Sequence, residues 1–222
     1  MEKHDHVLVV FPHPDDEAFG VSGSIASFIQ NGTPVTYMCL TLGEMGRNMG
    51  NPPFANRETL PLIRKKELTA ACDVLGIKDV RMMGYRDKTI EFEDNALIAK
   101  QVTDVIDELK PTLVITFYPG YSVHPDHDSC GEAVIEAVRK LPESERPKVE
   151  CVAFSNNCVE ELGEADVSRD VSTVQDKKIS TIEAHRSQTA GLIAGVKKRL
   201  KANEEELLNW LQKERFWTYK FD

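Results

Sequence analysis

Five consecutive apolar residues, Val7 to Phe11, leave no position along the run that could face water. A strand of this kind is covered on both faces, the habit of parallel strands flanked by helices. Residues 113–117 repeat the pattern with Thr116 as the one polar member. Residues 34–41 and 149–154 read as further strands, and 79–83 as a shorter one.

Helical stretches lie between them. Residues 17–30 read as a helix stopped by Asn31-Gly32, and 60–75 as a second, ended by Gly76. Asp94 is placed to cap a third, and 132–141 forms a fourth. Strands alternating with helices predict a Rossmann-like, doubly wound α/β fold. Its mostly parallel sheet has the order 3-2-1-4-5, with helices on both faces.

The 222 residues suit one domain, 1–222. Its C-terminal part, about 176–215, is expected to be helical. Val196, Leu200, Leu207 and Leu211 share a stripe of this charged stretch, as on a solvated helix with one docked edge or a subunit contact. The tail 216–222 holds four aromatic residues and is expected to dock on the domain or on a neighbouring subunit. A homo-oligomer is the expected assembly. Residues 43–56, with three Gly and two Pro, read as a lid or binding loop, and 118–128 as irregular.

A net charge of −9, from 27 basic and 36 acidic residues, argues against nucleic acid and anionic membranes as partners. No run approaches the roughly 20 apolar residues of a membrane-spanning helix. The start lacks the basic and then apolar run of a signal peptide. Five cysteines without a close pair fit free thiols in a reducing compartment, so the expected location is cytoplasmic.

The chemistry sits in two motifs. His13-Pro14-Asp15-Asp16-Glu17 follows the first strand, and His124-Pro125-Asp126-His127-Asp128 follows the fourth. In the expected strand order these two strands are neighbours where the order reverses, and ligands bind in that crevice. Imidazole with carboxylate favours zinc, or iron(II), over magnesium or calcium. His13, Asp16 and one of the two later histidines make a three-ligand set with an open position. Asp15 is left as a base, and the remaining histidine as an aid to the oxyanion or the leaving group. No Gly-x-Gly-x-x-Gly follows the first strand, which disfavours a dinucleotide.

HPDDE and HPDH, with TLGE at 41–44, Arg64-x-x-Glu67, Arg86-Asp87 and HRSQ at 185–188, resemble the zinc-dependent LmbE-like deacetylases. These form the family of N-acetylglucosaminyl-phosphatidylinositol de-N-acetylase. More narrowly, the stretches TLGEMGRNMGNPPFA, MMGYRDKT, FYPGYSVHPDHD and RFWTY resemble its branch that serves bacillithiol biosynthesis. The resemblance implies hydrolysis of an N-acetyl group from a small N-acetylglucosaminyl conjugate, with N-acetylglucosaminyl-malate the expected substrate.

Carried onto this chain, the resemblance implies His13, Asp16 and His127 as metal ligands and Asp15 as general base. His124, as an imidazolium, would assist the oxyanion or leaving amine. Arg64 and Asp87 match substrate-binding positions, Tyr121 falls nearest the family's tyrosine at a different spacing, and Arg47 is a further candidate for an anionic group. Glu17 reads as a helix-start charge and His185 as a packing residue. Two rival readings are an amidase acting on thiol conjugates of the same scaffold and a non-catalytic sugar- or metal-binding module.

Overall fold

The computed structural model describes residues 2–202 and 204–221, so Met1, Asn203 and Asp222 lie outside the described residues. The chain runs β1 (Val7–Phe11), α1 (Asp16–Gly20), α2 (Ser22–Gln30), β2 (Val35–Thr41), α3 (Leu60–Leu75), β3 (Asp79–Tyr85), α4 (Asn95–Leu109) and β4 (Leu113–Phe117). It continues through α5 (Pro125–Arg139), β5 (Lys148–Val152), α6 (Cys158–Leu162), β6 (Val167–Asp170), α7 (Gln175–Ala184), α8 (Arg186–Lys201), α9 (Glu205–Gln212) and β7 (Lys213–Thr218).

Among the described residues, seven strands form one sheet of order β3-β2-β1-β4-β5-β7-β6. The first five are parallel, in the order expected. β7 runs antiparallel to both β5 and β6. Along β1 the side chains alternate as a strand requires. Val7, Val9 and Phe11 pack with α2 and α3, through Ile25, Phe28, Leu68 and Leu75. Leu8 and Val10 face the other layer, against Ile98 and Val102 of α4 and Val134 and Val138 of α5. A helix layer on each face is why β1 tolerates no polar residue.

Several elements differ from expectation. The helix expected over 17–30 breaks at Val21, whose φ of −144° ends α1 before α2 begins. The break frees the first N–H groups of α2, and Gly23 and Ser24 donate to Glu214 Oε1 and Oε2 at 2.9 and 2.7 Å. Gly23 is needed there, since a Cβ would lie 2.6 Å from Val171. The helix expected over 132–141 starts earlier, at Pro125. Proline at the first helical position, His124 as cap and two aspartates in the first turn are ordinary start signals. So part of the segment expected to be irregular is helix.

The expected helical stretch 176–215 stops at Gln212, because 213–218 is β7. Strand β6 was also not expected. The aromatic tail docks on its own chain: Phe216 and Trp217 are buried, and Trp217 Nε1 donates to the Gly163 carbonyl at 2.9 Å. Val196, Leu207 and Leu211 pack together with Leu200 and Ile179, so the stripe is covered within the chain. The loop at 43–56 is tied to α8. Asn48 and Gln188 exchange side-chain-to-carbonyl bonds at 3.0 and 2.9 Å, and Gly50 donates to the Ser187 carbonyl at 2.9 Å.

Candidate metal centre

The carboxyl ends of β1 and β4 meet in the crevice where strand order reverses, with Phe11 and Phe117 in ring contact at 4.5 Å. The first motif leaves β1 and the second opens α5, so residues 111 positions apart in sequence face one another. His13, Asp16 and His127 present ligand atoms within 4.8 Å of one another, and His13, His124 and Asp126 form an overlapping group.

Hydrogen bonds set the tautomers. His127 Nδ1 lies 3.1 Å from the Ser122 carbonyl, an acceptor, so Nδ1 carries the hydrogen and Nε2 is bare. His13 Nε2 faces Asp126 Oδ2 at 3.1 Å and Asp87 Oδ1 at 3.2 Å, so its proton sits on Nε2 and Nδ1 is bare. The two bare nitrogens are 3.2 Å apart. Asp16 adds Oδ2 at 3.4 Å from His13 Nδ1 and Oδ1 at 3.3 Å from His127 Nε2.

Three lone-pair donors converging on one point repel unless a cation or a proton stands between them. This is the observation that fits a divalent metal to the residues present, and their N/N/O chemistry suits zinc or iron(II). Without a metal the proton takes that place. Burial opposes charge on His13, but Asp16, Asp126 and Asp87 outweigh it and raise its pKa well above the usual value. Burial likewise penalises the Asp16 carboxylate, yet the His127 and His13 rings hold its pKa far below the ordinary range.

Around the trio stands a layer that orients it. Asp126, fully buried, accepts Lys88 N–H at 2.7 Å and Ile90 N–H at 3.2 Å besides facing His13. Asp87 accepts Met45 N–H at 2.8 Å. Partners of this kind fix ring orientation and raise ligand basicity. Asp126→Asn is expected to weaken metal binding about 10- to 100-fold with the fold intact. Titration of the apo-protein with zinc under a competing chelator measures this, and unchanged affinity would remove Asp126 from the centre.

Asp15 borders the cluster. Its backbone is left-handed, with φ 105°, which costs a non-glycine residue roughly 1–3 kcal/mol and persists only when surroundings impose it. Its N–H donates to Glu17 Oε2 at 3.0 Å, and its Oδ2 pairs with Arg64 at 2.9 Å. Glu17 is in turn held by buried His185, Nε2 to Oε1 at 2.6 Å. Burial raises the Asp15 pKa from 3.8 to about 6, against the pull of Arg64.

Arg64 lines the cavity over the centre, as a substrate contact would, but is also bound by the protein itself. It is buried, and its two terminal nitrogens bond the carbonyls of Gly43 and Pro14 and the Asp15 carboxylate, while Nε has no hydrogen-bond partner among the described residues. Gly43, at φ +61°, permits this approach, since a Cβ would sit 1.8 Å from Arg64 Nη1. Asp87 lines the same cavity and also binds His13 and the Met45 N–H. Tyr121 points away, its hydroxyl donating to Glu161 Oε2 at 2.8 Å. Arg47 is exposed and lines the cavity of about 290 Å³ over the centre, together with Lys88.

His124 caps α5 by accepting Asp126 N–H on Nδ1 at 3.1 Å, which leaves Nε2 as the donor of a neutral ring. Burial, then the charges of His13 and His127, lower its pKa below 6.5, which favours the neutral ring over the expected imidazolium. Asp126, Lys88 and the Ser122 carbonyl were missed as site groups. Glu67 accepts the Ser187 N–H on one oxygen and the Ser187 hydroxyl on the other, each at 2.7 Å.

No helix of the described residues is long and apolar enough to cross a membrane. The chain is 52% identical over 218 residues to the probable N-acetyl-alpha-D-glucosaminyl L-malate deacetylase 2 of Bacillus subtilis strain 168, covering 98% of this chain and 99% of that one. The N,N'-diacetylchitobiose deacetylase of Pyrococcus horikoshii shares its fold at a TM-score of 0.75 and 23% identity, over 97% of this chain and 84% of that one. So does the 4-carboxy-2-hydroxymuconate hydratase of Pseudomonas putida KT2440, at 0.71 and 20%, over 98% and 97%. Fold alone therefore does not select the reaction. The model of the GlcNAc-PI de-N-acetylases matches residues 8–138, more than half of the sequence, and the chain belongs to this PIG-L family.

Proposed function

We propose that the chain is a metal-dependent N-deacetylase that hydrolyses the acetamide of N-acetylglucosaminyl-malate or a closely similar small N-acetylglucosaminyl conjugate. The observation that carries the reading is a carboxyl group with its pKa raised to about 6 beside three converging ligand atoms. The identity to the B. subtilis deacetylase over nearly the whole chain supports the substrate.

In this reading His13, Asp16 and His127 hold zinc, with iron(II) as the alternative ion. When bound, the ion polarises the acyl carbonyl and makes water at the site more acidic. Asp15 takes the water proton, and Arg64 keeps its carboxylate aimed. His124 donates Nε2–H to the carbonyl oxygen as that oxygen gains charge, a contact worth roughly 100- to 1000-fold in rate in other enzymes. Protonated Asp15 then returns its proton to the departing nitrogen, which its pKa near 6 makes easy in both directions.

Arg47 and Lys88, cations with exposed side chains at the rim, suit the two malate carboxylates. Arg64 and Asp87 serve here through Asp15 and His13, and Tyr121 has no part. The proposal includes a cytoplasmic setting, supported by five free, buried thiols, and a homo-oligomer, which light scattering would read.

The test is amine release from N-acetylglucosaminyl-malate, N-acetylglucosamine and a thiol conjugate of the cysteinyl-glucosaminyl scaffold, side by side. Release from the malate conjugate supports the reading. Release from the thiol conjugate alone makes the chain an amidase, and none from any, with metal bound, makes it a binding module.

The pH profile follows from the sign of the Asp15 shift. Only the carboxylate accepts a proton, so kcat/KM is expected to hold above its pKa and to fall about tenfold per unit below it. A nearby cation favours the carboxylate, so the acid limb is expected at or just below about pH 6. A profile flat down to pH 4 would remove Asp15 as base.

A further inference from the structure

A second cavity, of about 550 Å³, borders the centre. Asp16 and His127 line both cavities, so the two share an edge at the ligand cluster. The cavity over Asp15 is polar and carries Arg47 and Lys88. The other is lined by Phe19, Phe117, Val152, Phe154 and Trp210. The aromatic wall reaches the centre itself: the Phe117 ring stacks on His127 at 4.1 Å and 14°, and Phe154 meets it edge-on at 5.9 Å. Its buried charges, Lys178 and Glu214, neutralise each other at 2.8 Å. The remaining polar lining residues, Glu206, Asn209, Lys213 and Arg215, are exposed.

An amide attacked at this centre has two sides. Its amine side carries a sugar acid, whose hydroxyls and carboxylates match the polar cavity. Its acyl side would face the apolar one. A methyl group is comparable in size to a water molecule, whose share of the liquid is about 30 Å³, so an acetyl group leaves most of this space unfilled. The volume falls in the range of sites built for whole ligands, about 300–1,000 Å³.

We propose that the apolar cavity is an acyl site, so that the substrate class extends to glucosaminyl amides bearing acyl chains longer than acetyl. The inference rests on the deacylase reading above. The reaction balances as for acetyl: water oxygen bonds to the acyl carbon, the C–N bond breaks, and the nitrogen gains a proton. The products are the fatty acid and the amine, and no oxidant or co-reactant is needed. Each methylene that finds apolar wall adds binding, which raises kcat/KM where the chain stays seated in the transition state.

The experiment compares kcat/KM of the metal-loaded protein for glucosaminyl-malate acylated with acetyl, butanoyl and hexanoyl groups. Two filling variants accompany it, Val152→Phe at the end of β5 and Gly20→Leu. The Gly20 position is open, since an added Cβ meets nothing nearer than Val152 at 3.8 Å. Neither residue belongs to the proposed catalytic set. The native protein is expected to cleave the hexanoyl amide within about tenfold of the acetyl one, or faster. Either filling variant that folds is expected to lose roughly tenfold or more on hexanoyl while acetyl cleavage stays level.

Acetyl cleavage with a fall beyond about 100-fold at hexanoyl in the native protein would overturn the acyl site and leave the deacetylase standing. Equal losses on both amides in the variants would do the same. Hexanoyl cleavage without acetyl cleavage upholds the acyl site and removes the acetyl substrate. No cleavage of either overturns both.

Discussion

Asp15→Asn is expected to lower kcat about a thousandfold while the protein still binds one metal ion per chain with native affinity. The three ligand side chains are untouched by the change, and their orienting partners, Ser122, Asp87 and Asp126, bond to other atoms. What disappears is a group able to accept a proton, since an amide oxygen is not basic near neutral pH. General acid–base catalysis contributes typically 10²–10⁴-fold. Two steps pass through this one carboxyl in the proposed sequence, which places the loss in the upper part of that range. The amide keeps the shape of the carboxyl and can still accept from Arg64, so the left-handed backbone at φ 105° should survive. Metal analysis, circular dichroism and steady-state rates on one preparation separate the possibilities. A rate within tenfold of native, with metal bound, would move the base elsewhere.

Glu214→Ala is expected to destabilise the fold by about 3–5 kcal/mol, the range for breaking a buried ion pair by removing one partner. Lys178 and Glu214 are both about 1% exposed, with Nζ 2.8 Å from Oε1. Removal of the carboxylate leaves an ammonium in the interior, with the Trp210 carbonyl at 3.3 Å and the Trp210 ring at 5.4 Å as partners. The same carboxylate also caps α2 through Gly23 and Ser24. An N-cap is worth roughly 0.5–2 kcal/mol on its own, and the two losses share one group, so they overlap. Urea unfolding measures the change as a lower midpoint at similar slope. A shift under 1 kcal/mol would mean that water reaches Lys178 in the variant.

Glu214 also shows what the sequence conceals. In Lys213-Glu214-Arg215 three charges in a row look like the surface of the preceding helix, yet the middle one is buried and the segment is a strand. Its burial becomes intelligible only when Lys178 and the broken helix at Val21 are known to surround it. β6 is hidden in the same way, since Arg169 faces inward to Glu150 at 2.6 Å, a pairing no local pattern announces. β1 and β4 were legible because burial on both faces leaves them apolar but for Thr116, and α3 because Gly76 ends it in a left-handed turn, φ 92°.

At the site, the residues that project from strand ends were readable, since the motif and the buried strand stand side by side. The groups that act through others were not. Asp87 stands out only through the resemblance, and nothing in Arg86-Asp87-Lys88 says that its carboxylate reaches His13 while Lys88 lines the cavity. Asp126 stands inside a recognised motif, but its role depends on the direction in which the first turn of α5 aims its carboxylate. The contacts of Arg64 have no local sign in the sequence. Its helix places it beneath the carbonyls of Pro14 and Gly43, a contact across 50 and 21 residues.

The position of β7 has a consequence for how the molecule comes into being. It follows every other described strand along the chain, yet it lies between β5 and β6 in the sheet. During synthesis the five parallel strands can assemble as they leave the ribosome, at roughly 5–20 residues per second. Meanwhile β5 displays an unpaired edge, and β6 has no neighbour until 213–218 arrives. Exposed edges of this sort recruit strands from other chains. The nascent protein is therefore most exposed to misassembly in the interval before its final strand closes the sheet, and chaperones that mask strand edges would act in that window.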